Sequence, residues 1–396
     1  MKKLLVALSF VLAAGLTSAQ GITVWSHFGG TDLKWLQGEA ASFEAAFGVP
    51  VTITRIQLSE LKQKMLLAAP QGEGPDLVAP IPHDQMGELA AGGVLADMSS
   101  FATDDYLSDL SEQARLAFTY NGRLFGLPLY SEGPALITNT NLVPEAEMPA
   151  TYEDMIAKAQ ELTSGDTYGF LYDDKNFYFS YNWIHSNGGY VFERDAEGTL
   201  DPSNIGLANE GAIKGVEQIK ALQNEYGLIP AGTDSSVIEG LFNEGAAAMV
   251  YNGPWAIANA VAAGVPVAVS PIPPMADGTT WKGFIGVQGI LLNQFSTNQA
   301  DAANFAKWIT RPDAQVELAQ MSTRVPTSAE AAEAVADDPV LSGFISAFAE
   351  AEPMPNIPEM GDVWAPMGDA LTVLLENADS DAGKVLSGAV SQIEGN

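Results

Sequence analysis

Ile22-Thr23-Val24-Trp25-Ser26, then Leu33, Leu36, Ala40, Phe43 and Phe47 at steps of three and four, then Val51-Thr52-Ile53-Thr54: these residues decide the fold class. The first run reads as a strand. The second has the spacing of one helix face, and Gly48 stops it. The third alternates as a second strand. Ser59 to Ala69 reads as a second helix, and Asp76 to Ile81 is a short apolar run that makes a third strand. Strand, helix, strand, helix, strand is the signature of a parallel sheet with crossover helices, so the expected class is α/β.

Upstream of this unit, Lys2 and Lys3 precede an apolar run from Leu4 to Leu16 and then Thr17-Ser18-Ala19. That is a signal peptide at 1–19, with cleavage expected after Ala19. The run falls short of the ~20 apolar residues a membrane span needs. Lys2 and Lys3 leave with the leader, and the formal charge goes from −31 to −33. Such a chain repels nucleic acid and anionic lipid, and the charge serves solubility. A hydrophobic content of 47% argues against disorder.

Downstream, Ile213, Val216, Ile219 and Leu222 give another helix, and Ala246 to Tyr251 reads as a buried strand ending in a turn. Pro271-Ile272-Pro273-Pro274 is a loop, and Ser328 to Asp338 reads as a surface helix or connection. No composition shift marks a linker, which fits lobes that exchange chain segments better than domains in series.

The chain has no Cys, no glycine-rich phosphate loop and no Gly-x-Ser-x-Gly elbow. His27, His83 and His185 are far apart, and none pairs at helical spacing to hold a metal. No cofactor is expected. Aromatic residues beside turn chemistry stand out instead. Asn252-Gly253-Pro254-Trp255 puts a Trp at the mouth of the Ala246–Tyr251 strand, and open α/β sheets bind ligands outside the carboxyl ends of strands. Met354-Pro355-Asn356-Ile357-Pro358-Glu359-Met360 is a Pro-studded loop followed by Trp364. Asn176-Phe177-Tyr178-Phe179-Ser180-Tyr181 is dense in aromatics, near Asp173 and Asp174. A pyranose offers an apolar C–H face that stacks on an aromatic ring and a rim of hydroxyls that needs carboxylates and amides, so the set suits a saccharide. Core packing is the commoner fate of any one Trp or Phe.

From Ile22 to about Ile393 the chain resembles the periplasmic maltose/maltodextrin-binding proteins of ABC importers (extracellular solute-binding protein, family 1). The resemblance lies in Gly72-Glu73-Gly74-Pro75-Asp76, Tyr120-Asn121-Gly122-Arg123-Leu124, Asn139-Thr140-Asn141-Leu142, Phe242 to Trp255, and Met354-Pro355-Asn356-Ile357-Pro358. It implies a two-lobe periplasmic-binding-protein (Venus-flytrap) fold with three inter-lobe crossings. One lobe is expected at 21–131 with 287–335, the other at 135–284 with 338–396. It further implies a monomeric receptor without enzyme activity or metal. The receptor would capture maltose or maltodextrin in the cleft and deliver it to permease subunits of the importer. A lipid-anchored receptor needs an N-terminal Cys, so a freely diffusible periplasmic protein is expected, with no nucleic-acid partner and no stable membrane insertion. By position, Trp255, Trp364 and Tyr178 match the sugar-stacking residues of the family, and Glu132 and Asp84 match its hydroxyl-binding carboxylates.

The sequence departs from the family mainly on the first lobe. An Asp-Lys pair of the best-known members is replaced by His27-Phe28-Gly29-Gly30, a family Trp falls near Pro80-Ile81, and a family Glu is Asn176. The expectation is therefore that His27 donates to the sugar, Phe28 supplies a stacking surface, and Asp84 accepts from hydroxyls, with Asn176 at the cleft as well. Asp84→Ala and Phe28→Ala should then weaken binding and leave the sugar-free protein nearly as stable. Two other readings stand beside this one. The chain is a receptor for another sugar, such as trehalose, or a secreted glycoside hydrolase using acids such as Glu132 and Asp173.

Overall fold

The structure, a computed structural model, describes residues 21–195 and 199–395. The leader lies outside the described residues. Along the chain run β1 (Ile22–Ser26), α1 (Gly30–Phe47), β2 (Val51–Arg55), α2 (Leu58–Ala68) and β3 (Leu77–Pro82). They are followed by β4 (Gly126–Glu132), β5 (Ala135–Asn139), β6 (Tyr168–Leu171), α3 (Phe177–Ser186), β7 (Ala247–Asn252) and β8 (Val267–Ser270). The remaining elements that matter for the site are β9 (Phe284–Leu292), β10 (Val325–Pro326), β11 (Glu352–Pro353) and α4 (Trp364–Glu376).

The opening βαβαβ unit forms as its periodicity predicts. β1 pairs in parallel with β2 and with β3. On α1 the stripe buries Leu36, Ala40 and Phe43, and Trp35 with it. Gly48 ends the helix at φ 70°, donating to the Glu44 carbonyl; the left-handed region there suits a residue without Cβ. Phe47, the last residue of the stripe, is 58% exposed and packs at the margin of the core, its ring against Phe43 and Trp308.

Two sheets result. The larger has the order β10-β4-β9-β3-β1-β2, with β11 on β9; the smaller has the order β8-β5-β7-β6. The larger sheet is mixed and not wholly parallel: β9 runs antiparallel to both β3 and β4. The reason is connectivity, since β4 and β9 are the strands on which the chain leaves this sheet and returns to it. Residues 133–134 alone separate β4 from β5 of the other sheet. After β10 the helix Pro339–Phe348 packs on β8, so the chain has crossed again.

Each sheet carries its own core. Ile22, Val24, Leu77, Val78, Leu127 and Ile290 belong to the first. In the smaller sheet, Leu136 faces one apolar cluster and Ala135 and Ile137 face another, so its strands are buried on both sides. The helix expected around Ile213–Leu222 spans Glu210–Asn224 and buries Val216, Ile219 and Leu222. Ala329–Ala334 is helical within the expected 328–338 connection.

Candidate ligand-binding cleft

The aromatic wall is built from three local devices. β7 ends at Asn252, whose side-chain oxygen accepts from the Gly253 amide at 2.8 Å and turns the chain into Pro254–Ala256. The Trp255 indole folds back over Gly253 so closely that a Cβ there would lie 2.2 Å from the ring. Only glycine permits that placement. The second device is the N-terminus of α3, where Asn176 Oδ1 accepts from the Tyr178 amide at 3.1 Å. The third is the start of α4 at Trp364, delivered by the irregular Met354–Ile357 segment and a short 3-10 turn at Pro358–Asp362.

Two of these rings share a base, and the third leans on their neighbours. Phe284, 1% exposed at the start of β9, stacks with Tyr178 at 6.2 Å and 23° and meets Trp364 edge-on at 6.0 Å. Trp255 lies 6.5 Å from Tyr178 and 6.4 Å from Phe179. Phe177, Phe179 and Phe284 are buried, whereas Tyr178, Trp255 and Trp364 are half-buried. Partly exposed rings on a buried aromatic base are a platform that keeps one face available and loses little freedom when a ligand lies on it.

Opposite the wall stand polar groups of the larger sheet. Glu132, the last residue of β4, accepts from Gln288 Nε2 at 2.7 Å and from Arg324 Nη1 at 3.3 Å. Gln288 belongs to β9 and Arg324 precedes β10, so each of the other two strands that connect the sheets contributes one donor to this carboxylate. Tyr178 Oη donates to the Glu132 carbonyl at 3.4 Å, which ties the wall to the crossing. His27 Nε2 lies 3.5 Å from Gln288 Oε1. Since the amide nitrogen of Gln288 is used on Glu132, its oxygen accepts and His27 Nε2 carries the proton. Burial holds His27 below the usual histidine pKa, against the pull of Glu132. Burial also pushes the Asp84 carboxyl up to about 6; the nearby Lys62 charge and the Trp364 indole N–H pull the other way. Asp84 and Trp364 are thus neighbours.

Trp255, Trp364, Tyr178, Glu132, Asp84 and His27 therefore come together. Two residues expected with them do not. Phe28 is 2% exposed and packs between Trp35 and Tyr130 in the core of the larger sheet, because the chain turns inward after His27. Asn176 is exposed, and its side-chain oxygen is committed to capping α3. Asn176→Ala is expected to cost about 1 kcal/mol of stability as a lost N-cap, with Asn176→Asp restoring it, read by thermal melting. Melting of the Ala variant at the wild-type temperature would show that the cap contributes nothing. Phe284, Gln288, Arg324 and Asp32, which pairs with Arg324 at 2.7 Å, were not foreseen from the sequence. Only Phe284 left a trace there, as an apolar residue opening a strand-like run.

A cavity of about 410 Å³ lies elsewhere, between the Tyr120–Gly122 turn and Asn356–Glu359, and shares no residue with the wall. Among the described residues, no three His, Asp or Glu side chains converge to hold a metal ion. No described helix is long and apolar enough to cross a membrane.

Two α/β lobes joined by several chain passages, with an aromatic wall facing carboxylates across the junction, define a receptor that holds a polar ligand between its lobes. The family profile described as bacterial extracellular solute-binding protein matches residues 40–342, and the chain belongs to that family. Among its relatives, the galactooligosaccharide-binding protein of Bacillus subtilis is 30% identical over 87% of this chain and 82% of its own. The maltotriose-binding protein of Pyrococcus abyssi is 29% identical over 90% of this chain and 78% of its own. Among solved structures, the Thermus thermophilus maltotriose binding protein bound with maltotriose superposes with a TM-score of 0.88 at 41% identity, covering 94% of this chain and 99% of that one. A cyclo/maltodextrin-binding protein complexed with maltotetraose gives 0.85 at 31% identity, covering 95% and 97%.

Proposed function

We propose that this protein is the substrate receptor of a carbohydrate ABC importer and captures maltose and short maltodextrins. The jaws are assigned to 21–131 with 287–335 and to 135–284 with 338–396. The observation that carries the reading is the Trp255–Tyr178–Trp364 wall on its Phe284 base, facing Glu132 and Asp84. Rings of an α-glucan stack on the wall, and their hydroxyls bond the carboxylates. Contact with both lobes at once is what makes closure favourable, since a ligand shifts a hinge equilibrium only by its preference for one state. The 41%-identical structure with maltotriose supports the glucan. Delivery to permease subunits, a diffusible monomeric state and a periplasmic location after leader cleavage complete the proposal.

No catalysis is proposed. Glu132 is already paired with Arg324 and suits an acceptor, and Asp173 is bonded by the Ser235 hydroxyl at 2.6 Å. The relative named for galactooligosaccharides favours a second reading, in which another oligosaccharide is the cargo. Calorimetry with maltose, maltotriose, trehalose, sucrose and a galactooligosaccharide separates these. Stoichiometric binding with intact maltotriose recovered is expected, and released glucose would establish a hydrolase. Trp255→Ala and Trp364→Ala should each cost about 2 kcal/mol of binding energy, as for a buried aromatic anchor, or roughly thirtyfold in affinity. Wild-type affinity in both folded variants would place the sugar elsewhere.

A further inference from the structure

We propose that Asp32 and Arg324 form the hydroxyl-recognition pair of the first lobe, a site beside Glu132 for two neighbouring hydroxyls of the bound sugar. This rests on the receptor reading above and names residues that supply what the first lobe lacks where the chain reads His27-Phe28-Gly29-Gly30.

The pair is rigidly mounted. Arg324 Nη2 donates to Asp32 Oδ2 at 2.7 Å and Nη1 to Glu132 Oε2 at 3.3 Å. Its guanidinium lies 5.1 Å over the Tyr130 ring, and Tyr130 stacks on Phe28 at 6.1 Å and 18°. Phe28 is thus the bottom of a Phe28–Tyr130–Arg324 stack, and touches ligand recognition only through it. With two carboxylates and a ring fixing the planar fork, little side-chain freedom remains to be lost when a ligand binds.

The same mounting leaves hydrogen-bonding capacity unused. Arg324 Nε, Asp32 Oδ1 and the Tyr130 hydroxyl are buried and have no partner among the described residues. Buried polar atoms are nearly always paired, because an unpaired one forfeits its bonds to water. Here three such atoms lie on one cluster: a donor, an acceptor and a hydroxyl that is both. A vicinal diol matches that set, one hydroxyl donating to Asp32 and its neighbour accepting from Arg324.

Charge selects the class of ligand. One guanidinium against the carboxylates of Asp32 and Glu132 leaves a net negative charge, which disfavours a phosphate or carboxylate, and among the described residues no third carboxylate or His joins them to hold a metal ion. A neutral polyol fits both constraints. Arg324 and Asp32 each keep 13% of their side-chain surface exposed, which puts the pair at the edge of the junction, and the buried Nε and Oδ1 open to a ligand only as the side chains around them shift on binding. Their distance from the wall is short in bonds, since the Tyr178 hydroxyl donates to the backbone of Glu132, the residue Arg324 grips.

The test uses the full mature chain as wild type, Asp32→Asn, Arg324→Lys and Trp364→Ala. Each is titrated calorimetrically with maltotriose and with maltose analogues that each lack one hydroxyl. Asp32→Asn and Arg324→Lys, both near-isosteric in reach, should bind maltotriose at least about tenfold more weakly, the effect of losing a hydrogen bond to a charged group. For at least one missing hydroxyl, the penalty seen in wild type should vanish in Asp32→Asn, because the partner is already gone. A merely structural role would leave every deoxy penalty unchanged, and that result overturns the proposal. Wild-type affinity in both variants, with Trp364→Ala weakened, overturns the pair and leaves the receptor reading intact. A wild-type protein that binds no α-glucan overturns both.

Discussion

Phe28→Ala is expected to lower the unfolding free energy of the sugar-free protein by about 3–5 kcal/mol, the range for truncating a buried Phe in a packed core. The ring is 2% exposed and meets Trp35 edge-on at 6.3 Å, Tyr130 face-on at 6.1 Å and His27 at 5.5 Å. These neighbours come from α1, from β4 and from the turn between β1 and α1, so removing the ring opens a cavity where the three meet. Its backbone is anchored too, with the amide donating to Ser26 Oγ at 3.2 Å, which limits collapse into the space. The expectation from sequence was the opposite: an exposed stacking surface whose loss would spare the sugar-free fold. Urea unfolding of wild type and variant without sugar decides between them. A loss below about 1 kcal/mol would return the ring to the cleft surface.

His83→Ala should cost about 3 kcal/mol or more at pH 7.5, and most of that gap should close as the pH falls toward 4. The imidazole is fully buried. Its Nδ1 accepts from the Val287 amide at 3.0 Å, which leaves Nε2 protonated to donate to the Met354 carbonyl at 2.8 Å. One side chain thereby joins the end of β3 to the crossing strand β9 and to the loop that leads to Trp364. Alanine would strand a buried N–H and a buried C=O, each costing about 1–3 kcal/mol. Gly87 packs under the same loop; a Cβ on it would lie 2.1 Å from the Asn356 carbonyl, so the loop has little room to move and find new partners.

The pH sign follows from burial, which lowers the His83 pKa from 6.5 to about 4. The native state needs the neutral ring, so the contribution is complete above 6.5. It falls as the unfolded chain takes up a proton that the folded one refuses, by about 3 kcal/mol between 6.5 and 4. Burial raises Asp84 to about 6 and Asp174 to about 7, and these act in reverse: the native state holds their protons more tightly, so their contribution is lost as pH rises. The difference between wild type and His83→Ala isolates the histidine. A gap that stays constant from pH 7.5 to 4 would mean that His83 does not titrate as a buried neutral ring.

Local pattern settled a great deal in this protein. The βαβαβ order over residues 22–82 was legible because hydrophobic period and glycine stops are properties of short windows. Trp255 after an Asn-Gly-Pro turn and Trp364 after a Pro-rich loop were legible as ring-presenting positions for the same reason, since turn chemistry and strand ends lie within a few residues of them. Tertiary structure alone decided the rest. Phe28 and Trp25 flank the same short turn, and nothing within it says that Phe28 turns inward to meet Tyr130. Asn176 was a ligand candidate by position, but an Asn one residue before a helix also satisfies an amide that would otherwise be unpaired, and here it does. Glu132 finds Arg324 192 positions away, His27 finds Gln288 261 away, and His83 finds Met354 271 away. The physical reason is the topology: the chain passes between its two sheets more than once, so the groups that meet at the junction come from segments hundreds of residues apart. No periodicity in any one segment encodes its partner.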